Sequence, residues 1–196
     1  MKVEIVFSEE ILGTASANPD IHKDHIASKG PNAQTIEEEV AALGEDAVAE
    51  KSMTLFPRND QGQPMLWDYQ VKGFFKDACG MLARVPGTEC SKLKAWRKVL
   101  DGLLFVEPRQ IVLRLPDGAA LGRCQRPLRA QTAQGERIAL ADSETAPAGT
   151  RIEIEIVTLK DDLMKLVREC LDYGKLRGIG QWRNSGKGRF AWSEIE

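Results

Sequence analysis

Residues 151–157, with the sequence RIEIEIV, constrain the fold of this chain most strongly. Ile152, Ile154 and Ile156 alternate with charged residues, which is the two-residue period of a β-strand with one buried face. The period then becomes that of a helix, whose apolar stripe comprises Leu163, Leu166, Val167, Cys170 and Leu171. Gly174 stands where such a helix commonly ends. A strand followed at once by an amphipathic helix predicts a sheet with helices packed on it.

The beginning of the chain repeats this order. Val3, Ile5 and Phe7 have the strand period, and residues 71–82 have the helical one. We further predict a helix at 91–104, a strand at 111–115, hairpins around 59–62 and 128–138, and a last strand at 190–192. This order predicts an α+β fold: a ferredoxin-like (RRM-like) βαββαβ core with inserted hairpins and helices, in one domain spanning residues 1–196.

Composition excludes few classes of function. The chain is 42% apolar and 29% charged with a formal net charge of −2, so the total charge indicates no partner. The segment between Glu107 and Arg137 nevertheless contains six arginines and only three acidic residues, which predicts either a basic groove or scattered solvated arginines. The N-terminus lacks the apolar run of a signal peptide and no segment has transmembrane length, so we expect a cytoplasmic protein without a membrane partner.

The four cysteines are widely spaced and form no C-x-x-C pair. Neither a zinc site nor a disulfide framework is therefore expected. Cys79 and Cys170 fall on apolar helix faces and are predicted to be core thiols.

Residues 176–192, LRGIGQWRNSGKGRFAW, contain four glycines interleaved with basic residues and no acid. Glycines let backbone amides approach a phosphate chain, basic side chains neutralise it, and a tryptophan offers a face for base stacking. The stretch is therefore a candidate nucleic-acid contact, the alternative being an ordinary turn between a helix and the last strand. The candidate binding residues are Arg177, Gly178, Gly180, Trp182, Arg183, Gly186, Lys187, Gly188 and Arg189.

Three segments together resemble the RAMP superfamily, which comprises RNA-binding subunits of CRISPR effector complexes and their processing nucleases. The spacing Gly178-Ile-Gly180, five residues, Gly186-Lys-Gly188 is similar to the family's glycine-rich loop, here within 174–190. Tyr69-Gln-Val-Lys-Gly-Phe-Phe-Lys76 resembles the family segment that begins its first helix. Glu144-Thr-Ala-Pro-Ala-Gly-Thr150 resembles the segment that leads into a core strand.

The resemblance is closest to the backbone subunit that repeats along a guide RNA. It implies an antiviral-defence protein whose glycine loop, Lys72 and one face of the sheet bind single-stranded RNA, such as a crRNA-like guide, without regard to sequence. It also implies that a hairpin within 53–68 protrudes as a thumb, and that copies stack head to tail into a helical assembly or join other effector subunits. No cofactor is expected. Single-stranded DNA remains open as the ligand, because a 2′-hydroxyl contact leaves no mark in the sequence.

Some residues depart from the family pattern. Gln70 stands in place of the usual Ser and Lys76 in place of Arg, and the chain is short for a backbone subunit. A solitary relative encoded by a phage or another mobile element fits these departures equally well.

Two other functions remain open at this point. Asp20, His22, Asp24 and His25 lie after the first strand, where relatives of this kind carry catalytic groups, so an endoribonuclease using either magnesium or a histidine is one alternative. The other is a protein that imitates a backbone subunit and inhibits a CRISPR complex.

Overall fold

The computed structural model describes residues 1–16, 53–132 and 135–196, with side chains for all of these except 128–140. Its strands are β1 Lys2–Phe7, β2 Ile11–Leu12, β3 Ala15–Ser16, β4 Thr54–Leu55, β5 Met65–Trp67, β6 Leu104–Glu107, β7 Gln110–Val112, β8 Gly122–Thr132, β9 Gly135–Ala146, β10 Arg151–Thr158 and β11 Phe190–Ile195. Its α-helices are α1 Asp68–Leu82, α2 Glu89–Lys92, α3 Trp96–Leu103 and α4 Leu163–Arg177. In these ranges no helix is long and apolar enough to cross a membrane.

The main sheet has the strand order β11-β1-β10-β6, and all neighbouring strands are antiparallel. Ile5 at its centre is opposite Ile152 on one side and Trp192 on the other. Along the chain, β1, α1, β6, β10, α4 and β11 follow the βαββαβ sequence, with the last strand beside the first. The predicted ferredoxin-like core is therefore confirmed.

Helices α1 and α4 cover one face of this sheet and form the hydrophobic core with it. The three alternating side chains of β1 and the three isoleucines of β10 point into this core and are buried. Phe74 of α1 packs edge to face on Phe190 of β11, with ring centres 5.2 Å apart. Cys79 and Cys170 are both buried, which confirms them as core thiols.

The chain between α1 and β10 differs from the prediction of one helix at 91–104. Two short helices, α2 and α3, stand there instead, separated by Ala95 in the left-handed conformation with φ of 52°. Leu104 begins strand β6, in which Leu104 and Val106 are buried and Phe105 is exposed. The apolar run that suggested a longer helix therefore belongs to an edge strand. The strand predicted at 111–115 is shorter and pairs with β5 outside the main sheet.

The hairpin predicted at 128–138 is confirmed but is longer than expected. Strands β8 and β9 pair from Gly122 opposite Thr145 to Thr132 opposite Gly135. Strand β9 also pairs with β2 and β4, but only between Ser143 and Ala146. In the described part of the chain, the half of the hairpin between Ser143 and its turn thus consists of β8 and β9 alone.

The predicted turn at 59–62 is confirmed as well. The side-chain oxygen of Asn59 accepts hydrogen bonds from the amides of Gln61 and Gln63, at 3.1 and 2.8 Å. Arg58 and Pro64 form an isolated antiparallel β-bridge across the turn. Residues 60–63 are exposed, while Phe56 and Met65 anchor the two arms in the interior. A contact of this turn with another subunit stays a prediction.

The segment 144–150 holds the junction between β1 and β10. The Phe7 amide donates to the Thr150 carbonyl at 2.9 Å, and the Gly149 amide donates to the Phe7 carbonyl at 2.7 Å. The Glu144 carboxylate accepts from the Phe56 amide and from Arg58. This motif is thus used within the fold.

Candidate nucleic-acid interface

The glycine loop begins where helix α4 ends. The helix continues through Gly174, where it was expected to stop, because this glycine makes room for Phe190: a Cβ there would lie 2.1 Å from the phenyl ring. The helix ends instead at Gly178, with φ of 75°. The loop therefore spans residues 178–189, and the expected start at 174 is wrong.

Two of the loop glycines are required by contact of the loop with itself. A Cβ at Gly188 would lie 1.9 Å from the Ile179 carbonyl oxygen, and one at Gly178 would lie 2.5 Å from the Gly188 carbonyl carbon. Both glycines also have positive φ, at 70° and 75°, which side chains disfavour. The Ile179 amide donates to the Gly188 carbonyl at 2.9 Å. The two ends of the loop are thus pressed together.

The amides of three loop glycines already have partners inside the protein. The Gly178 amide donates to Gly174, the Gly186 amide to Arg183, and the Gly188 amide to Glu10, at 3.1, 2.9 and 2.9 Å. These amides are not free to donate to a phosphate. The prediction of a backbone cradle is therefore not supported at these positions, and the side chains of the loop become the relevant groups.

Asp77 of α1 organises two of these side chains. Its Oδ2 accepts from Arg177 Nε and from Arg183 Nη1, each at 2.8 Å, and Arg177 also donates to Asn184 at 2.9 Å. The hydrogen-bonded Asp77 carboxylate raises the pKa of Arg177. One carboxylate thus neutralises only one of two guanidinium groups. Nothing in the local sequence indicated Asp77, which lies 106 positions before Arg183.

Lys187 and Arg189 lie on the side of the loop that faces the end of β1. Lys187 forms an ion pair with Glu10, and this hydrogen bond raises the pKa of Lys187. Arg189 is half-buried, and its Nε has no hydrogen-bond partner among the described residues. The Lys187 ammonium group is thus paired within the protein, whereas the Nε–H donor of Arg189 has no acceptor among the described residues.

The structure brings the glycine loop and the start of α1 together in one cleft. Its volume is about 250 Å³, and its lining comprises Thr14, Gln70, Gly73, Phe74, Ile179, Gly180 and Arg183. Gln70 is held by the Trp67 amide, which donates to its side-chain oxygen at 2.7 Å, and it donates in turn to Thr14. A Cβ at Gly73 would meet nothing within 4 Å. This glycine is thus not required by packing, although glycine inside a helix is unfavourable.

Lys72 is not part of this cleft. It lines a separate cavity of about 390 Å³ together with Phe105 and Arg109. Its Nζ donates to the Asp101 carbonyl at 2.6 Å and lies 4.9 Å from the centre of the Phe105 ring. The predicted grouping of Lys72 with the glycine loop therefore does not form. Asp20, His22, Asp24 and His25 lie outside the described residues.

Trp182 lies at the outer side of the loop and is 38% exposed. The guanidinium carbon of Arg126, from strand β8, stands 4.6 Å from the centre of its ring. Arg126 Nη2 also donates to Gln181 at 3.2 Å. Sequence reasoning placed Arg126 in an arginine-rich segment but did not connect it with the loop.

The open face of the main sheet has nearly balanced charges. It carries Glu4, Glu107, Glu153 and Glu155 beside the exposed Phe105, together with the bases Lys2, Arg151 and Arg114. Arg151 and Arg114 pair with two of these glutamates, Glu4 and Glu153. This face offers a phosphate backbone no excess of basic side chains, so the expectation that one face of the sheet binds RNA is not supported for this face.

No family model matches the sequence, and no curated protein is detectably similar to it. The fold, however, has solved counterparts. A chain in the cryo-EM structure of the Type III-B Cmr-beta complex bound to cognate target RNA is 11% identical with a TM-score of 0.57, and the match covers 100% of this chain and 58% of that chain. The two chains share the ferredoxin-like fold.

Two further structures are similar at a lower score. A subunit of a Type IV-B CRISPR complex is 12% identical with a TM-score of 0.48, over 98% of this chain and 88% of that chain. Cmr6 from Pyrococcus furiosus is 10% identical with a TM-score of 0.48, over 97% of both chains. Within this chain's ferredoxin-like core, the cleft described above lies between α1 and the loop that precedes the last core strand.

Proposed function

We propose that this protein binds single-stranded RNA through its phosphate backbone, at the cleft between the glycine loop and helix α1, as a subunit of a CRISPR-type effector assembly. The observation that carries the proposal is the meeting of the two glycine-containing segments in one cleft with Arg183 in its wall. The fold supports it, because the Cmr-beta complex that contains the similar chain is bound to RNA.

The chemistry of the cleft favours backbone contacts over base recognition. Arg177 and Arg183 share a single carboxylate, so the pair keeps a net positive charge and unused N–H donors. Exposed Gly73 lets a ligand approach the backbone of α1 closely. Guanidinium contacts to phosphate combined with stacking on Trp182 would tolerate any base, so binding is independent of sequence.

Assembly follows from the same proposal. Copies stack head to tail, with the turn at 59–63 contacting the next copy. Such a heterologous contact does not close on itself, so it generates a helical array along the RNA. The purified protein would then elute as a large assembly with an absorbance ratio at 260 and 280 nm typical of bound nucleic acid. A monomer free of nucleic acid contradicts this part of the proposal.

The binding site is tested with the double variant Arg177→Ala/Arg183→Ala, which removes the two arginines held by Asp77, and fluorescence anisotropy of a labelled single-stranded RNA. If both side chains contact phosphate, the slope of log affinity against log salt becomes shallower by about 1.4, at about 0.7 for each contact on a single strand. The matched control is Lys160→Ala/Lys165→Ala, which removes two lysines at the opposite end of α4. Equal affinities of variant and parent across the salt series would refute the site.

A further inference from the structure

Arg126 is a buried cation, two of whose three guanidinium nitrogens lack hydrogen-bond partners among the described residues. The residue is only 8% exposed, and its Nε and Nη1 have no hydrogen-bond partner among the described residues. A guanidinium group does not lose its proton in proteins, so burial cannot neutralise it. A buried charge without a counter-ion is strongly unfavourable. The described part of the chain thus gives this buried charge no counter-ion and leaves two of its donors unused.

The neighbouring basic side chains, unlike Arg126, form ion pairs with carboxylates. Arg123, on the same strand, pairs with Asp142, whose pKa the hydrogen bond from Arg123 holds below its ordinary value. Lys187 pairs with Glu10, and the two arginines at Asp77 share that carboxylate. Side chains alternate along a strand, so Arg126 points to the face of β8 opposite to Arg123 and away from Asp142. Arg126 thus differs from these four bases, because no carboxylate of the described residues pairs with it.

Trp182 covers the guanidinium group from the loop side. Its ring centre is 4.6 Å from the guanidinium carbon, a cation–π contact that replaces only part of the hydration lost on burial. The backbone of Trp182 is left-handed, with φ of 52° and ψ of 34°, a conformation that is uncommon and unfavourable for a bulky side chain. The cover is therefore itself held in a strained state.

The surroundings of Trp182 allow it to move. Gly180 and Gly186 flank it with φ of 90° and 85°, and glycine passes between backbone conformations more readily than other residues. The tryptophan side chain is also 38% exposed. A rotation about these glycines would relieve the strain at Trp182 and open the two buried nitrogens of Arg126.

We propose that Arg126 is an additional phosphate-binding residue, and that Trp182 is a movable cover which an incoming phosphate displaces. This inference rests on the proposed function, since the phosphate is that of the bound RNA. A phosphate supplies the acceptors that Nε and Nη1 lack, in the paired geometry that suits guanidinium groups. The displaced tryptophan becomes available to stack on the adjacent base.

The position of Arg126 suits this role. Gln181 accepts from Arg126 and donates to the Gly13 carbonyl at 3.0 Å. Gly13 precedes Thr14, which lines the cleft between the loop and α1. Arg126 thus lies beside the proposed RNA path, so one strand can contact the cleft and then Arg126.

The first test uses the ligand-free protein and inorganic tripolyphosphate. Arg126→Met removes the buried charge and keeps an apolar stem, so we expect its Tm to rise by a few degrees, whereas a purely structural arginine would lower it on removal. Tripolyphosphate should raise the Tm of the parent and leave that of Arg126→Met unchanged. Arg97→Met is the matched control, because Arg97 also stacks on a tryptophan, at 5.0 Å from Trp96, but is exposed.

The second test is RNA binding over a salt series. Arg126→Met should bind about tenfold more weakly at low salt, with a slope shallower by about 0.7, and Arg126→Lys should recover part of the loss. Trp182→Ala should bind tripolyphosphate at least as tightly as the parent, because the cover is gone. A lower Tm of Arg126→Met, or a tripolyphosphate effect equal in parent and variant, would overturn the inference.

The two proposals fail in different ways. Stabilisation by tripolyphosphate that depends on Arg126, in a parent protein that does not bind RNA, would refute the proposed function and support an anion site. RNA binding with the same affinity and slope in the parent and in Arg126→Met would support the function and refute the role of Arg126.

Discussion

Replacing Asp77 by asparagine should strengthen RNA binding while weakening the fold. Asp77 holds Arg177 and Arg183 through contacts of 2.8 Å to a single oxygen. If RNA uses these arginines, its phosphates compete with this carboxylate for the same donors. Removing one negative charge therefore raises the net charge of the pair from one to two, without removing a base.

The magnitudes follow from the burial of the three side chains, which are 22%, 24% and 30% exposed for Asp77, Arg177 and Arg183. Ion pairs at this intermediate depth contribute about 1–3 kcal/mol, and each kcal/mol lost lowers the Tm of a chain of this size by about 2–4 °C. A charge about 7 Å from a phosphate changes the interaction by about 0.6 kcal/mol in water and more at lower dielectric. The affinity at low salt should rise roughly threefold to tenfold, with a steeper salt dependence.

The assay is anisotropy of a labelled single-stranded RNA at several salt concentrations, together with thermal unfolding. Asp101→Asn is the control, because Asp101 lines a cavity together with Asp77 and also pairs with a base of α1, Lys76, but Arg177 and Arg183 pair with Asp77. It should leave RNA binding unchanged. Weaker binding by Asp77→Asn at every salt concentration would refute the reasoning, since it would mean that Asp77 orients the arginines for RNA rather than competing with it.

Three further predictions concern the glycines, the sheet and catalysis. Gly188→Ala should unfold the loop or the whole domain, because its Cβ would meet the Ile179 carbonyl oxygen at 1.9 Å. Gly73→Ala should instead stabilise α1 by about 0.5–1 kcal/mol and weaken RNA binding by blocking close approach of the RNA to the helix backbone. Unfolding curves and RNA-binding anisotropy check both variants, and unchanged RNA affinity of Gly73→Ala would contradict the contact. Glu153→Gln/Glu155→Gln should not reduce RNA affinity, because the open sheet face has no excess of bases to bind phosphate; a clear loss would place RNA on that face. Labelled RNA incubated with and without magnesium should remain intact, and cleavage would instead direct attention to Asp20, His22, Asp24 and His25.

The core of the fold was predictable because its signals are local. The isoleucines of β10 and the apolar stripe of α4 reveal their burial by period alone, and the order of these segments then permits few topologies. The weak point was the run at 91–107, where α3 passes directly into β6. Short apolar runs fit a helix and an edge strand equally well, and only the pairing of β6 with β10 decides between them.

The candidate site was predictable only in part. The glycine spacing marked the segment between α4 and β11, although the helix runs past the expected start at 174, and it did not reveal that Gly178 and Gly188 let the loop ends approach each other closely. Neither the sharing of Asp77 by two arginines nor the contact of Arg126 with Trp182 leaves a local mark in the sequence. Lys72 stood close to Gly73 in the sequence, yet it lines a different cavity from the glycine.

The sequence by itself thus determined the α+β class, the βαββαβ order and the position of the basic glycine loop, because hydrophobic period and glycine spacing are properties of neighbouring residues. Only the tertiary structure decided which bases of that loop are neutralised, by Asp77 and Glu10, and which nitrogens of Arg189 and of the neighbouring Arg126 have no hydrogen-bond partner among the described residues. The physical reason is that electrostatic interaction and desolvation depend on distance and burial in space, and folding brings together residues far apart in the chain.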